Sequence, residues 1–189
     1  MMDFDDRKEH VRQMLQFIGE NPDREGLIET PRRVVRAWEE LFGGYKIDID
    51  QFAVTFEEGY DQMVVLRGCE FYSHCEHHIM PFYGTVSIGY VSNGKVLGLS
   101  KLARISDAFA RRLQVQERMT EQIAGAVEHL VHPKGVAVVV DGVHTCMSMR
   151  GANKQRSRMT TSAMRGVFRE NMASRAEIMS LLRTRTEHE

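Results

Sequence analysis

Apolar residues recur along this chain with two different periods, and the change between them divides it. Near the start the period is helical. Val11, Met14, Leu15 and Ile18 fall at i, i+3, i+4 and i+7, which predicts a helix with one apolar stripe. Gly19 and Asn21-Pro22 end it. Thr30-Pro31 predicts a second start, a hydroxyl cap followed by proline at the first helical position. Val34, Trp38, Leu41 and Phe42 would form the buried face of that helix, and Gly43-Gly44 would stop it. Residues 1–45 therefore read as an N-terminal helical unit.

Beyond Gln62 the period shortens to two. Met63-Val64-Val65-Leu66 is strand-like, and Phe82 to Val91 predicts a longer strand with Phe82, Val86, Ile88 and Tyr90 on one face. Asn93-Gly94 is a hairpin signal, with Val96-Leu97 as the return strand. The helical period then resumes. Ser100 is placed to cap a helix carrying Leu102, Ile105, Phe109 and Leu113, and a further helix starts near Glu117 with Met119, Ile123, Val127 and Leu130 inward. His132-Pro133-Lys134-Gly135 ends it. Val136 to Val140 predicts a strand continuing towards Cys146, Thr160 to Phe168 a shorter one, and Ser174 to Arg183 a last helix with Ile178, Leu181 and Leu182. The pattern predicts an α+β body over 46–189 in which a pair of helices follows a hairpin. No repeat or low-complexity linker interrupts it.

Composition narrows the function classes. With 189 residues the chain can bury a proper core, and its formal charge is −1. A general nucleic-acid or membrane-surface binder would carry a basic excess. No apolar run is long enough to span a bilayer. The acidic stretch Met1-Met2-Asp3-Phe4-Asp5-Asp6 does not read as a secretory signal. Three cysteines suit metal or free-thiol roles in a reducing, cytoplasmic setting better than a disulfide framework.

The chemistry concentrates in Cys75-Glu76-His77-His78 and His144-Thr145-Cys146. Thiolate sulfur and imidazole nitrogen are the donors zinc prefers. The C-x-x-H spacing lets a tight turn bring Cys75 and His78 to one ion. On extended backbone the rings of His77 and His78 would point to opposite sides, and His144 and Cys146 to the same side. A structural site would take four protein ligands, a catalytic site three and a water. Residue types alone leave both open. Cys69 reads as a small buried apolar residue, and Glu76 as a group that orients a histidine.

A second stretch, Gly98-Leu99-Ser100-Lys101-Leu102-Ala103-Arg104, puts Lys101 in a helix's first turn, where a cation is unfavourable unless an anion is bound. Arg104 shares its face. Arg150 follows Cys146 closely. Arg33, Arg36, Lys154, Arg156 and Arg158 read as solvated from the sequence alone. Glu117 could cap the next helix or accept two parallel hydrogen bonds from a planar N–H edge.

These motifs together resemble the GTP cyclohydrolase I family. Cys75-Glu76-His77-His78-Ile79-Met80-Pro81-Phe82-Tyr83-Gly84, Gly98 to Arg104, Gln114-Val115-Gln116-Glu117-Arg118 and His144 to Gly151 match its signatures in order. Pro22 to Leu27 and Thr30 to Val34 are similar to its entry motif. The resemblance covers nearly the whole chain. It implies the tunnelling fold, an antiparallel sheet with a helix pair on one side, assembled into a homodecamer with active sites between subunits. It implies zinc-dependent conversion of GTP and water to formate and 7,8-dihydroneopterin triphosphate, the first step of tetrahydrofolate and pterin biosynthesis. By matching motif, Cys75, His78 and Cys146 would hold Zn2+, and His77, His144 and Ser100 would be catalytic. Gln116 and Glu117 would recognise guanine. Lys101, Arg104, Arg150, Arg33 and Arg36 would contact the ribose triphosphate. The chain departs from the family's pattern at Cys69, His74, Ser87 and Asp141-Gly142-Val143. His74 would add an ionisable ring beside the metal. Two rival readings are a structural-zinc module for nucleic acid and another purine or pterin enzyme on the same fold.

Overall fold

The computed structural model describes residues 3–183. Met1, Met2 and residues 184–189 of the two expected domains lie outside the described residues. Two compact units divide the chain, 1–43 and 44–189.

In the first unit, α1 (Phe4–Phe17) packs against α2 (Thr30–Leu41). Asp3 caps α1 by accepting from the Asp6 N–H at 2.8 Å, and Asp5 and Asp6 complement the helix dipole. Ion pairs Arg12–Asp23 at 2.7 Å and Arg7–Glu39 at 3.0 Å tie the unit together. The expected stripe is only partly covered, since Met14 and Ile18 are exposed. The second helix also differs from expectation. Thr30 is its first residue, with no side-chain cap, and its buried positions are Pro31 and Val35, while Trp38 is exposed. Pro31 turns its ring inward, which rotates the buried stripe by one residue.

In the second unit, 3-10 turns at Gly43–Lys46 and Ile49–Phe52 lead to β1 (Thr55–Glu57). Then come β2 (Met63–Cys75), β3 (Pro81–Val91), β4 (Lys95–Leu97), α3 (Leu99–Ala110), β5 (Leu113–Gln114) and α4 (Gln116–Val131). The chain closes with β6 (Gly135–His144), a helical turn α5 (Thr145–Ser148), β7 (Met159–Gly166), the short α6 (Val167–Glu170) and α7 (Met172–Arg183). The main sheet has the order β5-β2-β3-β6-β7. Its strands pair antiparallel, apart from the short parallel contact of β5 with β2.

One face of the sheet carries Phe82, Val86, Ile88, Tyr90, Val136, Val138 and Val140, all buried against Leu102 and Ile105 of α3 and Met119, Ile123 and Val127 of α4. This is the main core. On the other face Ile178 and Leu182 of α7 cover Ala137 and Val139 with Phe168. The strand β6 is thus apolar on both faces because it is covered on both. This arrangement is the tunnelling-fold architecture, with the helix pair on one side.

Three element expectations change. Gly94 turns the chain with φ +88°, but β4 pairs with β1 and not with β3. The Leu97 N–H is taken by the Tyr90 hydroxyl at 3.0 Å, and Ser92 Oγ donates to Lys95 O at 2.8 Å, so the return strand peels away. Gly98, not Ser100, precedes α3, and Leu113 belongs to β5. The chain after Gly166 leaves its strand and becomes α6. Ser87 has a structural role. Its Oγ accepts from the Gly68 N–H at 3.2 Å, inside a bulge where Gly68 adopts φ +63°. Among the described residues no helix is long and apolar enough to cross a membrane.

Candidate active site

The turn between β2 and β3 is closed by its own backbone. The Cys75 N–H donates to Met80 O at 2.8 Å, and the N–H groups of Ile79 and His78 donate to Cys75 O at 2.8 and 3.3 Å. Closing it requires Ile79 at φ +55°, a left-handed conformation that a β-branched residue rarely adopts. Because this backbone is a turn and not a strand, His77 and His78 do not diverge as extended backbone would make them. Each Nδ1 lies 3.8 Å from Cys75 Sγ, and the two rings meet edge to face with centroids 6.2 Å apart.

The second stretch also differs from expectation. The strand β6 ends at His144, and Thr145–Ser148 is a helical turn, so Cys146 does not share a strand face with His144. Thr145 Oγ1 donates to Pro81 O at 2.5 Å and pins this corner to the start of β3. The result brings Cys75, His78 and Cys146 together, their ligand atoms all within 4.8 Å of one another. Tetrahedral bonds of the lengths usual for zinc would separate such donors by about 3.5–3.8 Å. Two thiols and an imidazole at this spacing therefore fit a divalent ion after a small contraction. Burial and the neighbouring Cys75 push the Cys146 thiol up, and the Arg150 guanidinium acts in the opposite direction. The Arg150 guanidinium lies 3.3 Å from His78 Nε2.

His144 forms the wall of this site. It stands opposite Phe82 in the β3–β6 register, and the two rings stack with centroids 4.5 Å apart and planes 6° from parallel. Its Nε2 lies 2.9 Å from Gln116 Oε1. Burial lowers the ring's pKa, and the Glu117 carboxylate acts in the opposite direction. Glu117 itself is exposed in the first turn of α4, whereas Gln116 is buried.

The other expected residues are placed less simply. Ser100, Lys101 and Arg104 lie in the first turns of α3. The opposite end of that helix leads into β5, which pairs with His74 and Cys75. Lys101 is thus about 13 Å along the helix axis from the end that leads to β5 and Cys75. Within one chain these residues are not brought to the ligands. Arg33 and Arg36 are exposed on α2 of the first unit. His74 is not beside the triad. Side chains of β2 alternate, so His74 shares the outer face with exposed Tyr72, while Ser73 and Cys75 are buried inward. Burial lowers its pKa. Cys69 is half-buried, and burial with nearby Asp107 pushes its thiol up.

Three supports are not visible in the sequence. Phe82 reads there as core alone, and only its register against His144 reveals the stacking. Arg118 bonds the Glu76 carboxylate and, through Nε, Gln114 Oε1 at 3.2 Å, which links the metal-donor turn to the start of α4. Thr120 and Thr161 meet at 2.7 Å beneath Gln116. No local sequence signal points to either of the last two.

Residues 7–183 match the family model described as GTP cyclohydrolase I. The chain is 51% identical over 178 residues to "GTP cyclohydrolase 1" of Wolinella succinogenes, covering 93% of this chain and 95% of that protein. It is 53% identical over 173 residues to "GTP cyclohydrolase 1" of Deinococcus radiodurans, covering 90% of this chain and 80% of that protein. Among solved structures it is similar to an archaeosine synthase QueF-Like in the apo form, with TM-score 0.45 and 20% identity over 56% of this chain and 94% of that one. With the family model spanning almost every described residue and half the positions identical to two relatives, the chain belongs to the GTP cyclohydrolase I family.

Proposed function

We propose that this chain hydrolyses GTP to formate and 7,8-dihydroneopterin triphosphate, the entry reaction of tetrahydrofolate and pterin biosynthesis. The observation that carries the reading is the donor set. Three ligand atoms converge, those of Cys75, His78 and Cys146, and three donors leave a fourth position for water, as in hydrolytic rather than structural centres. When bound there, zinc would supply Lewis acidity that lowers the pKa of a coordinated water from about 15.7 towards about 7.

The chain's own residues do the rest. The Glu117 carboxylate accepts from guanine N1–H and the 2-amino group, and an adenine edge would leave it without donors. His77 and His144 give and take protons as C8 becomes tetrahedral and the imidazole ring opens, work for which imidazole is suited near neutral pH. Arg150, Lys101, Arg104, Arg33 and Arg36 hold the ribose triphosphate, and that remote binding fixes C8 at the site. Ser100 serves the later rearrangement.

The position of Ser100 and Lys101 at the far end of α3 supports sites completed by a neighbouring copy, and hence the family's homodecamer. So do the exposed Tyr72, Ile79, Tyr83 and Met149 of the second unit. We assign catalysis to residues 46–189, with the helical unit 1–45 as an adjunct. Three free thiols accord with a reducing cytoplasm.

The test is to incubate pure, metal-analysed protein with GTP and measure formate and, after oxidation, fluorescent neopterin phosphates. Equimolar formate and pterin are expected. A zinc-loaded protein that releases neither would overturn the reading.

A further inference from the structure

Gln116 belongs to the pair expected to recognise guanine, yet its side chain faces inward. It is 1% exposed. Its amide nitrogen faces three acceptors with two protons to share among them, Val140 O at 3.1 Å, Met159 O at 2.8 Å and Thr161 Oγ1 at 3.2 Å. Its oxygen faces His144 Nε2. Two of the nitrogen's neighbours are carbonyl oxygens, which only accept. Turned over, the amide would press Oε1 against both with no proton between, so its orientation is forced. Oε1 must then receive a proton from His144, and Nε2 must carry it.

We propose that Gln116 is a positioning residue for His144, and not a contact to the base: it holds the ring as the Nε2-protonated tautomer and leaves Nδ1 as the basic atom. This rests on the GTP cyclohydrolase reading above. The arrangement around the amide is built for it. Phe82 stacking sets the plane of the His144 ring, and Gln116 sets which edge is held. A loop of hydroxyls supports the glutamine. Gln116 Nε2 donates to Thr161 Oγ1, Thr161 is 2.7 Å from Thr120 Oγ1, and Thr120 donates to Gln116 O at 2.7 Å. Gly142, opposite, leaves the space that Oε1 occupies: a Cβ there would lie 2.6 Å from that oxygen. Asp141-Gly142-Val143, a departure from the family's pattern, thus contains a residue whose smallness the hydrogen bond needs.

The experiment uses the full-length, metal-loaded enzyme and two variants. Gln116→Met removes the acceptor, and Gly142→Ala crowds it while keeping every donor. Both are expected to lower kcat by about 10- to 100-fold, with metal content unchanged and KM for GTP within about threefold of wild type. A rise in KM at constant kcat would make Gln116 a base contact and overturn the proposal, as would unchanged kinetics in both. Should Gln116→Met not fold, Gly142→Ala decides. A second readout does not use turnover. Long-range 1H–15N NMR of histidine-labelled protein, with the signal assigned by His144→Asn, is expected to show the proton on Nε2, and a proton on Nδ1 overturns the proposal. Zinc-loaded wild-type protein that releases no formate would remove the proposed activity and this assignment together. Wild-type turnover with indifferent variants removes this one alone.

Discussion

The candidate site has two sides that are built in different ways. The turn Cys75–Met80 is local. Its own backbone bonds close it, and His77, His78 and Ile79 remain largely exposed. The corner at His144–Ser148 is held by distant parts of the chain: Phe82 and Pro81 of β3, Gln116 of α4, and through it Met159 and Thr161 of β7. The contrast is instructive because each side supplies candidate metal donors, Cys75 and His78 from the turn and Cys146 from the corner, together with a histidine proposed to act in catalysis. A side closed by its own turn should feel chiefly substitutions within it and at Arg118, whose bond to Glu76 ties it to α4. A side positioned by packing should feel substitutions far from the reacting atoms.

Cys146→Ser applies the strongest test, because it removes the one donor the packed corner supplies. Metal should be lost, and turnover should fall on the order of 10³-fold or more, since without the ion water keeps its high pKa. Metal analysis beside formate release checks both. Full activity would take Cys146 out of the site and make the turn sufficient alone.

Glu117→Ala comes next. Glu117 is exposed and one residue from buried Gln116, so it divides substrate recognition from the packed wall. KM for GTP should rise roughly 10- to 100-fold, the usual order for losing hydrogen bonds to a charged group, while metal content stays intact. Discrimination against inosine triphosphate, which lacks the 2-amino group, should narrow in the same variant. Loss of metal would instead place Glu117 with the structural supports.

Much of this contrast is readable from the chain, and the unread part has a physical reason. The donors and histidines stand out because their types and spacing are chemical. The core strands stand out because Phe82, Val86, Ile88 and Tyr90 keep strict alternation. Alternation also separates His74 from Cys75, a consequence of period two that applies wherever the strand continues, and the strand runs to Cys75 itself. What spacing does not encode is where a strand stops. His144 and Cys146 look like one strand face until the Thr145 hydroxyl finds Pro81 O, a partner 64 residues away. The same holds for Gln116: its neighbours come from β6 and β7, and only register places them together.

Thr161→Val sharpens the comparison on the packed side. The substitution keeps shape but removes the hydroxyl that accepts from Gln116 and meets Thr120. Gln116 retains its two carbonyl partners, so the amide keeps its orientation. Stability should drop by about 1 kcal/mol, read as a lower midpoint in urea. The kcat should fall only a few-fold, less than in Gln116→Met. A loss as large as that of Gln116→Met would mean that the hydroxyl loop, and not the two carbonyls, fixes the amide.

Ile79→Gly should have the smallest effect, and it probes the self-closed side. Ile79 is held at φ +55° with its side chain half exposed. For a β-branched residue that conformation costs about 1–2 kcal/mol, and glycine removes the cost. Glycine also gives the unfolded chain more freedom, an opposing term of about 1 kcal/mol. The two nearly cancel, so stability should change by less than about 1 kcal/mol in either direction. The bonds that close the turn are backbone bonds from Cys75, His78 and Ile79 themselves, and glycine keeps every one of them. Metal affinity should therefore stay within a few-fold of wild type, measured by competition with a chromogenic chelator. A much weaker affinity would mean that the isoleucine side chain, and not the backbone, holds His78 over Cys75, and the turn would then depend on packing as the opposite side does.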